Sequence, residues 1–120
     1  MGYGIKVTGG KYHKQKKKKH YEKRGQQRTV FLGETSRKTQ RIRGGSQKSI
    51  LLKSNIANVL ISPGKTKKSE IKNVLETPQN KFLARQNILA KGAIIETSLG
   101  KARITNRPTQ EGHINAILIQ

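Results

Sequence analysis

Two basic segments contain the residues of this sequence best suited to chemistry, because their charge and spacing are typical of phosphate-binding sites. The first lies near the N-terminus and consists of Lys11, Lys14, Lys16, Lys17, Lys18, Lys19, Lys23 and Arg24. The second spans residues 37–48 and includes Arg37, Lys48 and the RIRGG stretch at residues 41–45. An arginine guanidinium can hold two phosphate oxygens at once, whereas a lysine ammonium acts as a flexible point charge. Both segments therefore predict contact with a phosphate-rich polyanion.

The net charge of the chain indicates which polyanion this is. In 120 residues there are 26 Lys and Arg against six Glu, so the net charge is 26 − 6 = +20. Nucleic acid is the commonest polyanion in a cell, and binding it relieves the repulsion and releases counterions. A membrane surface is the alternative, but it favours a basic amphipathic helix with an apolar face, which the lysine-rich segment lacks. We expect a nucleic-acid partner and no membrane partner.

The second basic segment has the pattern of an extended strand followed by a turn. Because side chains alternate along a strand, an extended segment places these residues on one side: Arg37, Thr39, Arg41 and Arg43. Gly44 and Gly45 then allow a bulge or a turn whose backbone N–H groups approach a phosphate closely. The same pattern fits a solvated edge strand that is guarded by charge against aggregation. We favour contact with RNA.

The first basic segment has too few apolar residues to fold alone. Residues 1–49 contain 10 apolar residues, against 28 in residues 50–120, so burial cannot offset the ordering entropy of the N-terminal part. Tyr12 and Tyr21 interleave with the lysines, and a tyrosine ring can stack on an unpaired RNA base. A nuclear-import signal and a solubilising tail are the alternatives for this lysine run. We predict an RNA-threading arm, residues 1–28, disordered when free, and a folded body, residues 29–120.

The residue types argue against catalysis and against metal binding. The chain has no Cys and no Asp, and its three His residues, at positions 13, 20 and 113, are scattered. Thiolate nucleophiles, Ser-His-Asp triads and most metal sites are therefore excluded. The PGKT stretch at residues 63–66 ends like a phosphate-binding loop, but Val59 occupies the position of the required first glycine. We predict a turn there, and a protein that is not an enzyme and has no cofactor, metal or small-molecule substrate.

Short apolar runs separated by turn residues predict a mainly β fold. The predicted strands are residues 29–32, 49–53, 56–61, 71–76, 93–97, 101–105 and 114–119. Residues 93–105 form a β-hairpin in which Ala102 and Ile104 face inward and Lys101 and Arg103 face outward. The last run is apolar on both faces and is therefore central or closes a barrel. Several short strands with turns between them indicate a small barrel or a sandwich, with one short helix and a basic extended N-terminal arm.

The one predicted helix spans residues 79–86. Thr77 is a suitable cap and Pro78 suits the first helical position. Lys81 and Arg85 are four residues apart and share one face, while Phe82 and Leu83 are expected to face the core. The two cations can bind an RNA backbone, or they can be an ordinary solvated helix face.

These segments together resemble a known family. The matching residues run along nearly the whole chain: 9–11, Tyr21, 24–25, 32–34, 41–45, 57–59, 91–97, 99–103, 107–108, Gly112, Asn115 and Ala116. They resemble the eight-e family of small-subunit ribosomal proteins of archaea and eukaryotes, in its short archaeal form. Ser46 and Glu111 depart from the family pattern, which often has Asn and usually has Asp at these positions. The C-terminal group of matching residues, from residue 91 onward, also resembles a domain of nucleolar ribosome-assembly proteins. Those proteins are longer and differ in their N-terminal sequence.

The resemblance implies a mainly β fold, with a small antiparallel β-barrel-like body, one short helix and a basic extended N-terminal arm. It also implies a structural protein of the small ribosomal subunit that supports translation. It implies a cytoplasmic location on the ribosome, with small-subunit ribosomal RNA and neighbouring ribosomal proteins as partners. The two basic segments are then expected to neutralise RNA phosphates, and five cations of the body are expected to do the same: Lys81, Arg85, Lys101, Arg103 and Arg107. The alternative is a ribosome-assembly factor that binds only precursor small or large subunits.

Overall fold

The strands form two sheets, and two short helices connect parts of them. The computed structural model describes residues 4–25 and 27–119. The strands are β1 Phe31–Leu32, β2 Ser36–Arg41, β3 Gln47–Ser54, β4 Ile56–Ser62, β5 Lys65–Glu76, β6 Ile94–Thr97, β7 Gly100–Ile104 and β8 Asn115–Leu118. The helices are α1 Lys81–Arg85 and α2 Pro108–Glu111. None of the helices described is long and apolar enough to cross a membrane.

A closed five-stranded barrel forms the larger sheet. Its strands follow the order β4-β5-β6-β7-β8, and β8 returns to pair with β4. Four of these pairings are antiparallel, whereas the closing seam, in which Val59 pairs with Ala116, is parallel. The smaller sheet has the order β1-β3-β2. The predicted mainly β class is confirmed. Of the two roles predicted for the last strand, central or barrel-closing, the structure shows the second.

The core of the barrel alternates small and branched side chains. The inward-facing residues include Ala57, Val59, Ile95, Ala102 and Ile104, all of which are almost fully buried. Alanines let the strands of a narrow barrel approach each other, and the branched residues fill the remaining space. The core continues into the smaller sheet through a second set of buried side chains: Val30, Leu51 and Leu89. The two sheets therefore share one hydrophobic core.

The C-terminal hairpin agrees with its predicted alternation. Strands β6 and β7 pair with Thr97 opposite Gly100, so the turn contains only residues 98 and 99. The Thr97 hydroxyl donates to the Gly100 carbonyl at 2.7 Å and accepts from the Leu99 N–H at 3.3 Å. Lys101 and Arg103 are exposed, and the residues between them and after them are buried. These bonds fix the register that places two cations on the outside of the barrel.

All seven predicted strands differ from the structure in their bounds, most of them by only one or two residues at an end. The run predicted at residues 71–76 is the end of the twelve-residue strand β5, which starts at Lys65. The first half of β5 lacks an apolar pattern, but it pairs with β4 across the two-residue turn of Pro63 and Gly64. The run predicted at residues 29–32 has only two strand residues, β1, and Thr105 follows the end of β7. Pairing partners set these bounds, and local pattern does not specify them.

The helix prediction was wrong in its cap and in one inward-facing residue. Helix α1 begins at Lys81, and the Asn80 side-chain oxygen accepts from the Phe82 N–H at 3.0 Å. Asparagine is a strong cap, and the predicted cap, Thr77, is instead fully buried at the end of β5. Phe82 is 65 % exposed and does not face the core. Leu83, which was also predicted to face the core, is half-buried.

Helix α2 was not predicted, although the sequence carries both of its end signals. Pro108 occupies the first turn, and Gly112 ends the helix with a φ of 74°. Proline at the start and glycine just past the end are typical of helices. Four residues are too few for an amphipathic pattern to appear. The helix packs on β3 and so contacts the smaller sheet.

Residues 4–25 lie outside the two sheets and are exposed throughout. Their order is local: Ile5 bridges to Lys11, the Lys6 N–H donates to the Gly10 carbonyl at 2.7 Å, and His20–Glu22 form one 3-10 turn. The chain extends 69 Å along its longest axis, with a radius of gyration of 21.2 Å. A compact chain of this length has a radius near 14 Å. The division into an arm, residues 1–28, and a body, residues 29–120, stays a prediction.

Candidate nucleic-acid interface

The basic side chains are almost all free of acidic partners. Every Lys and Arg is exposed except Lys48, which is half-buried. Among residues 4–25 and 27–119, the one close contact between a basic and an acidic side chain joins His113 Nε2 and Glu111 Oε2, at 3.8 Å. Unpaired surface cations give a positive potential that an internal carboxylate does not neutralise. The surface can therefore attract a polyanion over much of its area.

The hairpin of β2 and β3 presents the second basic segment. Arg37, Thr39 and Arg41 share one side of β2, as predicted. Arg43 lies beyond the end of β2, in the connecting turn, so its predicted alignment with the other three side chains was wrong. The chain reverses after Arg41, because the Gly45 N–H donates back to the Ile42 carbonyl at 3.3 Å. Arg43 is consequently carried at the tip of the hairpin.

Gly44 and Gly45 shape that tip. Their φ angles are 86° and 84°, in the left-handed region that side chains disfavour. A Cβ at either position would meet no atom within 4 Å, so the tip is open to an approaching backbone. Lys48 differs from the other residues of the segment, because its ammonium donates to the Gln110 side-chain oxygen in α2. Arg41 and Arg43 are thus freer than Lys48 to contact phosphate.

Three further cations lie on the barrel strand β7 and at the start of α2. Arg103 projects outward from β7 between two apolar neighbours in register, Ile94 and Ile117. Lys101 is opposite Glu96 in the same hairpin. Arg107 precedes α2 and its side chain makes no capping hydrogen bond. These three cations are exposed and add a basic area that is separate in sequence from the hairpin tip.

Helix α1 carries two cations and an exposed aromatic ring. Lys81 and Arg85 are both exposed, one turn apart, as the sequence predicted. The Arg85 guanidinium carbon lies 5.7 Å from the centroid of the Phe82 ring. At this distance the ring and the cation attract each other. The helix therefore presents charge and a flat apolar surface side by side.

The N-terminal segment combines lysines with tyrosines. All of its predicted contact residues are exposed: Lys11, Lys14, Lys16, Lys17, Lys18, Lys19, Lys23 and Arg24. Lys6 Nζ lies 5.4 Å from the centroid of the Tyr12 ring, and Lys19 Nζ lies 5.9 Å from that of Tyr21. Both rings remain accessible for stacking on a base. This arrangement is suited to flexible contact with single-stranded nucleic acid.

Comparison with known proteins identifies the group to which these features belong. The family model described as Ribosomal protein S8e matches residues 5–119. The chain belongs to the ribosomal protein S8e family. Its match confirms the resemblance that the sequence motifs indicated, and it extends from the basic N-terminal segment through the last strand of the barrel.

Several archaeal members of the S8e family are similar to the chain over nearly their whole length. The protein named Small ribosomal subunit protein eS8 of Methanococcus aeolicus is 47% identical over 117 residues, which are 95% of this chain and 91% of that protein. The protein of the same name from Ignicoccus hospitalis is 45% identical over 119 residues, 96% of this chain and 91% of that protein. That of Methanocorpusculum labreanum is 43% identical over 116 residues, with shares of 96% and 93%.

The S8e chain has further exposed cations that the sequence analysis missed. They are Lys6, Arg28, Lys38, Lys53, Lys65, Lys67, Lys68, Lys72 and Lys91. Three of them, Lys65, Lys67 and Lys68, lie on the β4–β5 hairpin. The predicted turn at residues 62–65 is confirmed, because Ser62 pairs with Lys65 around Pro63 and Gly64. Three lysines within four residues after a proline–glycine turn were the signal for a second basic hairpin.

Glu111 and His113 lie in a small hydrogen-bonded cluster with Asn106. Asn106 donates from its side-chain nitrogen to Glu111 Oε2 at 2.9 Å and to the His113 carbonyl at 2.8 Å. The hydrogen bond from Asn106 is the main cause of a lowered pKa of the Glu111 carboxyl. Within the part of the chain that the structure describes, no three His, Cys, Asp or Glu residues come close enough to hold a metal. This cluster fastens the loop between α2 and β8.

Proposed function

We propose that this protein is a structural constituent of the small ribosomal subunit that binds small-subunit ribosomal RNA and thereby supports translation. The observation that carries the proposal is a surface in which every Lys and Arg but Lys48 is exposed and none of them forms an ion pair with a carboxylate of the described residues. Membership of the S8e family supports the assignment to the ribosome, since its relatives are named small ribosomal subunit proteins.

The mechanism is neutralisation of phosphates at four places. The arm, residues 1–28, threads between RNA segments and becomes ordered only there. The tip of the β2–β3 hairpin inserts Arg41 and Arg43, and its glycines let the backbone come close to the RNA. The barrel adds Lys101, Arg103 and Arg107, and α1 adds Lys81 and Arg85. Such contacts carry little sequence information, so recognition rests on the shape of the RNA.

The partners and the location follow from this role. Neighbouring ribosomal proteins lie beside a chain that is held mainly by RNA, and the protein acts in the cytoplasm on the ribosome. The proposal includes no catalytic step. Lys65 begins a strand after a two-residue turn, whereas a phosphate-binding loop precedes a helix.

The test is to quantify the chain on ribosomes. Native ribosomes are washed at high salt and sedimented, and the chain is measured per mature small subunit by mass spectrometry against labelled peptides. One copy on each subunit engaged in translation is expected. A chain confined to precursor particles and absent from translating ribosomes would instead identify an assembly factor and overturn the proposal.

A further inference from the structure

A cleft of about 600 Å³ separates the end of β5 from α1. We call it the α1 cleft; its walls are residues 73–77 and the side chains of Lys81, Ala84, Arg85 and Asn87. Pockets that bind small molecules and single nucleotides have volumes of about 300 to 1,000 Å³. The cleft is therefore large enough to accept one nucleotide.

Two β-bulges in β5 form the first wall of the α1 cleft. The pairing of β5 with β6 shifts between Ile71 and Asn73 and again between Val74 and Glu76. Each shift inserts an extra residue, and Leu75 is left 41 % exposed while Val74 stays buried. Bulges redirect side chains and occur often beside binding sites. Here they turn one apolar side chain and the Asn73 amide toward open space.

Polar groups with unused bonding capacity lie in the same cleft. Thr77 is fully buried, and its hydroxyl has no hydrogen-bond partner among residues 4–25 and 27–119. Asn73 accepts from the Val74 N–H at 2.9 Å through its side-chain oxygen, which leaves its amide nitrogen available. A buried polar group without a partner costs free energy. The Asn73 amide nitrogen is the group that a ligand in the cleft can reach, because the Thr77 hydroxyl is fully buried.

Asn87 is the one described residue other than glycine with a positive φ, at 52°. Its backbone is used in the fold: its N–H donates to the Ala84 carbonyl and its carbonyl accepts from the Leu32 N–H. Its side-chain amide makes no hydrogen bond within the part of the chain that the structure describes. A left-handed asparagine is mildly strained. This left-handed backbone conformation, just after the end of α1, places Asn87 in the wall of the cleft.

Two cations and an aromatic ring stand at the rim. Lys81 and Arg85, the rim cations, have like charge one helical turn apart, which is unfavourable in an isolated helix. A phosphate between them removes this repulsion. The ring of Phe82, which is exposed beside Arg85, adds a flat surface on which a neighbouring base can stack.

From these features we propose that the α1 cleft binds one unpaired nucleotide of RNA. The base lies against Leu75 and Ala84, its edge meets the amides of Asn73 and Asn87, and the flanking phosphates meet the rim cations. A base within a duplex cannot enter, because its edges are already paired and its faces stacked, whereas an unpaired base can be splayed out. The inference rests on the proposed function, since it assigns a specific contact to the RNA-binding surface.

The test uses the full chain labelled with ¹⁵N and three probes. The probes are a single-stranded RNA hexanucleotide of mixed sequence, a fully paired RNA stem of equal charge, and a mixture of the four nucleoside 5′-monophosphates. The single strand is expected to shift the backbone amides of residues 73–77 and 84–87, and the stem is expected to shift only amides at exposed lysines and arginines outside the cleft. Equal shifts by strand and stem in the cleft would overturn the proposal. So would monophosphates that bind as tightly as the hexanucleotide, because the ligand would then be a free nucleotide.

Two cleft variants and one control distinguish binding in the cleft from the general attraction of RNA to positive charge. Asn87→Gly keeps the positive φ and removes the amide, so single-strand affinity should fall about tenfold while stem affinity is unchanged. Asn73→Ala is the second cleft variant and should act in the same direction. Lys101→Ala, which removes a cation outside the cleft, should weaken both RNAs equally. Unchanged single-strand affinity in both asparagine variants would overturn the proposal.

The outcomes distinguish failure of the cleft from failure of the proposed function. A chain that binds neither RNA, and that is also missing from mature small subunits, would refute RNA binding as a whole. A chain that binds RNA with no response of the cleft amides would refute the nucleotide site alone.

Discussion

Gly112 lies directly against Ser49. A Cβ at Gly112 would be 2.9 Å from the Ser49 hydroxyl oxygen and 3.0 Å from its carbonyl oxygen. Gly112 ends α2 in the barrel half of the fold, and Ser49 lies in β3 of the smaller sheet. The contact joins the strand pair that carries the arginine-rich tip to the barrel, so it fixes one basic area relative to the other.

Replacement of Gly112 by Ala should destabilise the fold more than its φ alone requires. An alanine in the left-handed region costs about 1 to 2 kcal/mol, and the close approach to the Ser49 backbone adds about 1 kcal/mol or more, because a backbone cannot rotate away. Gly64→Ala is the control, since Gly64 has a φ of 81° and nothing within 4 Å of its Cβ position. Urea unfolding measures both. Equal losses in the two variants would show that the contact with Ser49 is unimportant.

Thr77 and Thr97 should respond oppositely to replacement by Val. Both are buried, but the Thr77 hydroxyl has no partner among the described residues, whereas that of Thr97 donates to the Gly100 carbonyl. Thr77→Val removes an unsatisfied group at nearly constant shape and should raise the free energy of unfolding by about 1 kcal/mol. Thr97→Val should lower it by about 1 to 2 kcal/mol. Thermal and urea unfolding of the free protein provide the measurement. A loss of stability in Thr77→Val would indicate that its hydroxyl is satisfied in solution.

The double variant Arg41→Ala, Arg43→Ala should weaken binding to small-subunit ribosomal RNA and reduce its salt dependence. Each phosphate contact contributes about 0.7 to 0.9 to the slope of log K against log salt, so the slope should fall by about 1.4 to 1.8. Thr39→Ala, on the same side of β2 and without charge, is the control and should leave the slope unchanged. Filter binding at several salt concentrations gives the slopes. A slope equal to that of the unmodified protein would remove both arginines from the interface.

The Glu111 carboxyl should titrate below its ordinary pKa of 4.5, because Asn106 donates a hydrogen bond to the charged form. A pKa that is lower in the folded than in the unfolded state contributes stability above the unfolded value, and this contribution is lost as the pH falls through the folded value. NMR titration of the side-chain carboxyl carbon measures it. In Asn106→Ala the pKa of Glu111 should rise toward 4.5. The same midpoint with and without Asn106 would mean that this hydrogen bond is not the cause.

The proposed arm should be cut by trypsin before the body is. Residues 4–25 are exposed, and their backbone hydrogen bonds to other described residues all lie within the segment. The free energy needed to unfold this segment locally is therefore close to zero. Small-subunit ribosomal RNA should protect the lysines of this segment, and cleavage at Lys67 and Lys72 in β5 serves as the internal reference. Mass spectrometry of timed digests follows both. Equal cleavage of the arm with and without RNA would contradict threading.

Elements with a local signal were predicted well. In the β6–β7 hairpin, Ala102 and Ile104 are buried as their alternation requires, and the turn at Pro63 and Gly64 follows from residue type. The cap of α1 was wrong, because Thr77 and Asn80 both suit a cap and only the pairing of β5 with β6 decides between them. The sequence also could not predict that β3 and β4 belong to different sheets. Only one residue, Asn55, connects them, and strands that are adjacent in sequence usually pair.

The candidate interface shows the same division. Residue type and charge are enough to indicate the arginines of the second segment and the lysines of the first. The bond from Lys48 to Gln110 spans 62 positions in the sequence, and no local pattern reveals it. The α1 cleft depends on two bulges and on the left-handed Asn87, which arise from register and packing. The sequence therefore predicts which charged side chains are present, and the tertiary structure decides which of them are free to contact a phosphate.

The parallel seam between β4 and β8 has a consequence for the order of events during synthesis. Asn58 and Asn115, which face each other across the seam, are 57 positions apart. Pairing of distant segments is slow, because the intervening loop must first be closed. A ribosome making this chain therefore releases the lysine-rich segment and the arginine tip well before the barrel can close. Until the barrel closes, the nascent chain exposes the unpaired edges of β4 and β7, and unpaired strand edges are sites of aggregation.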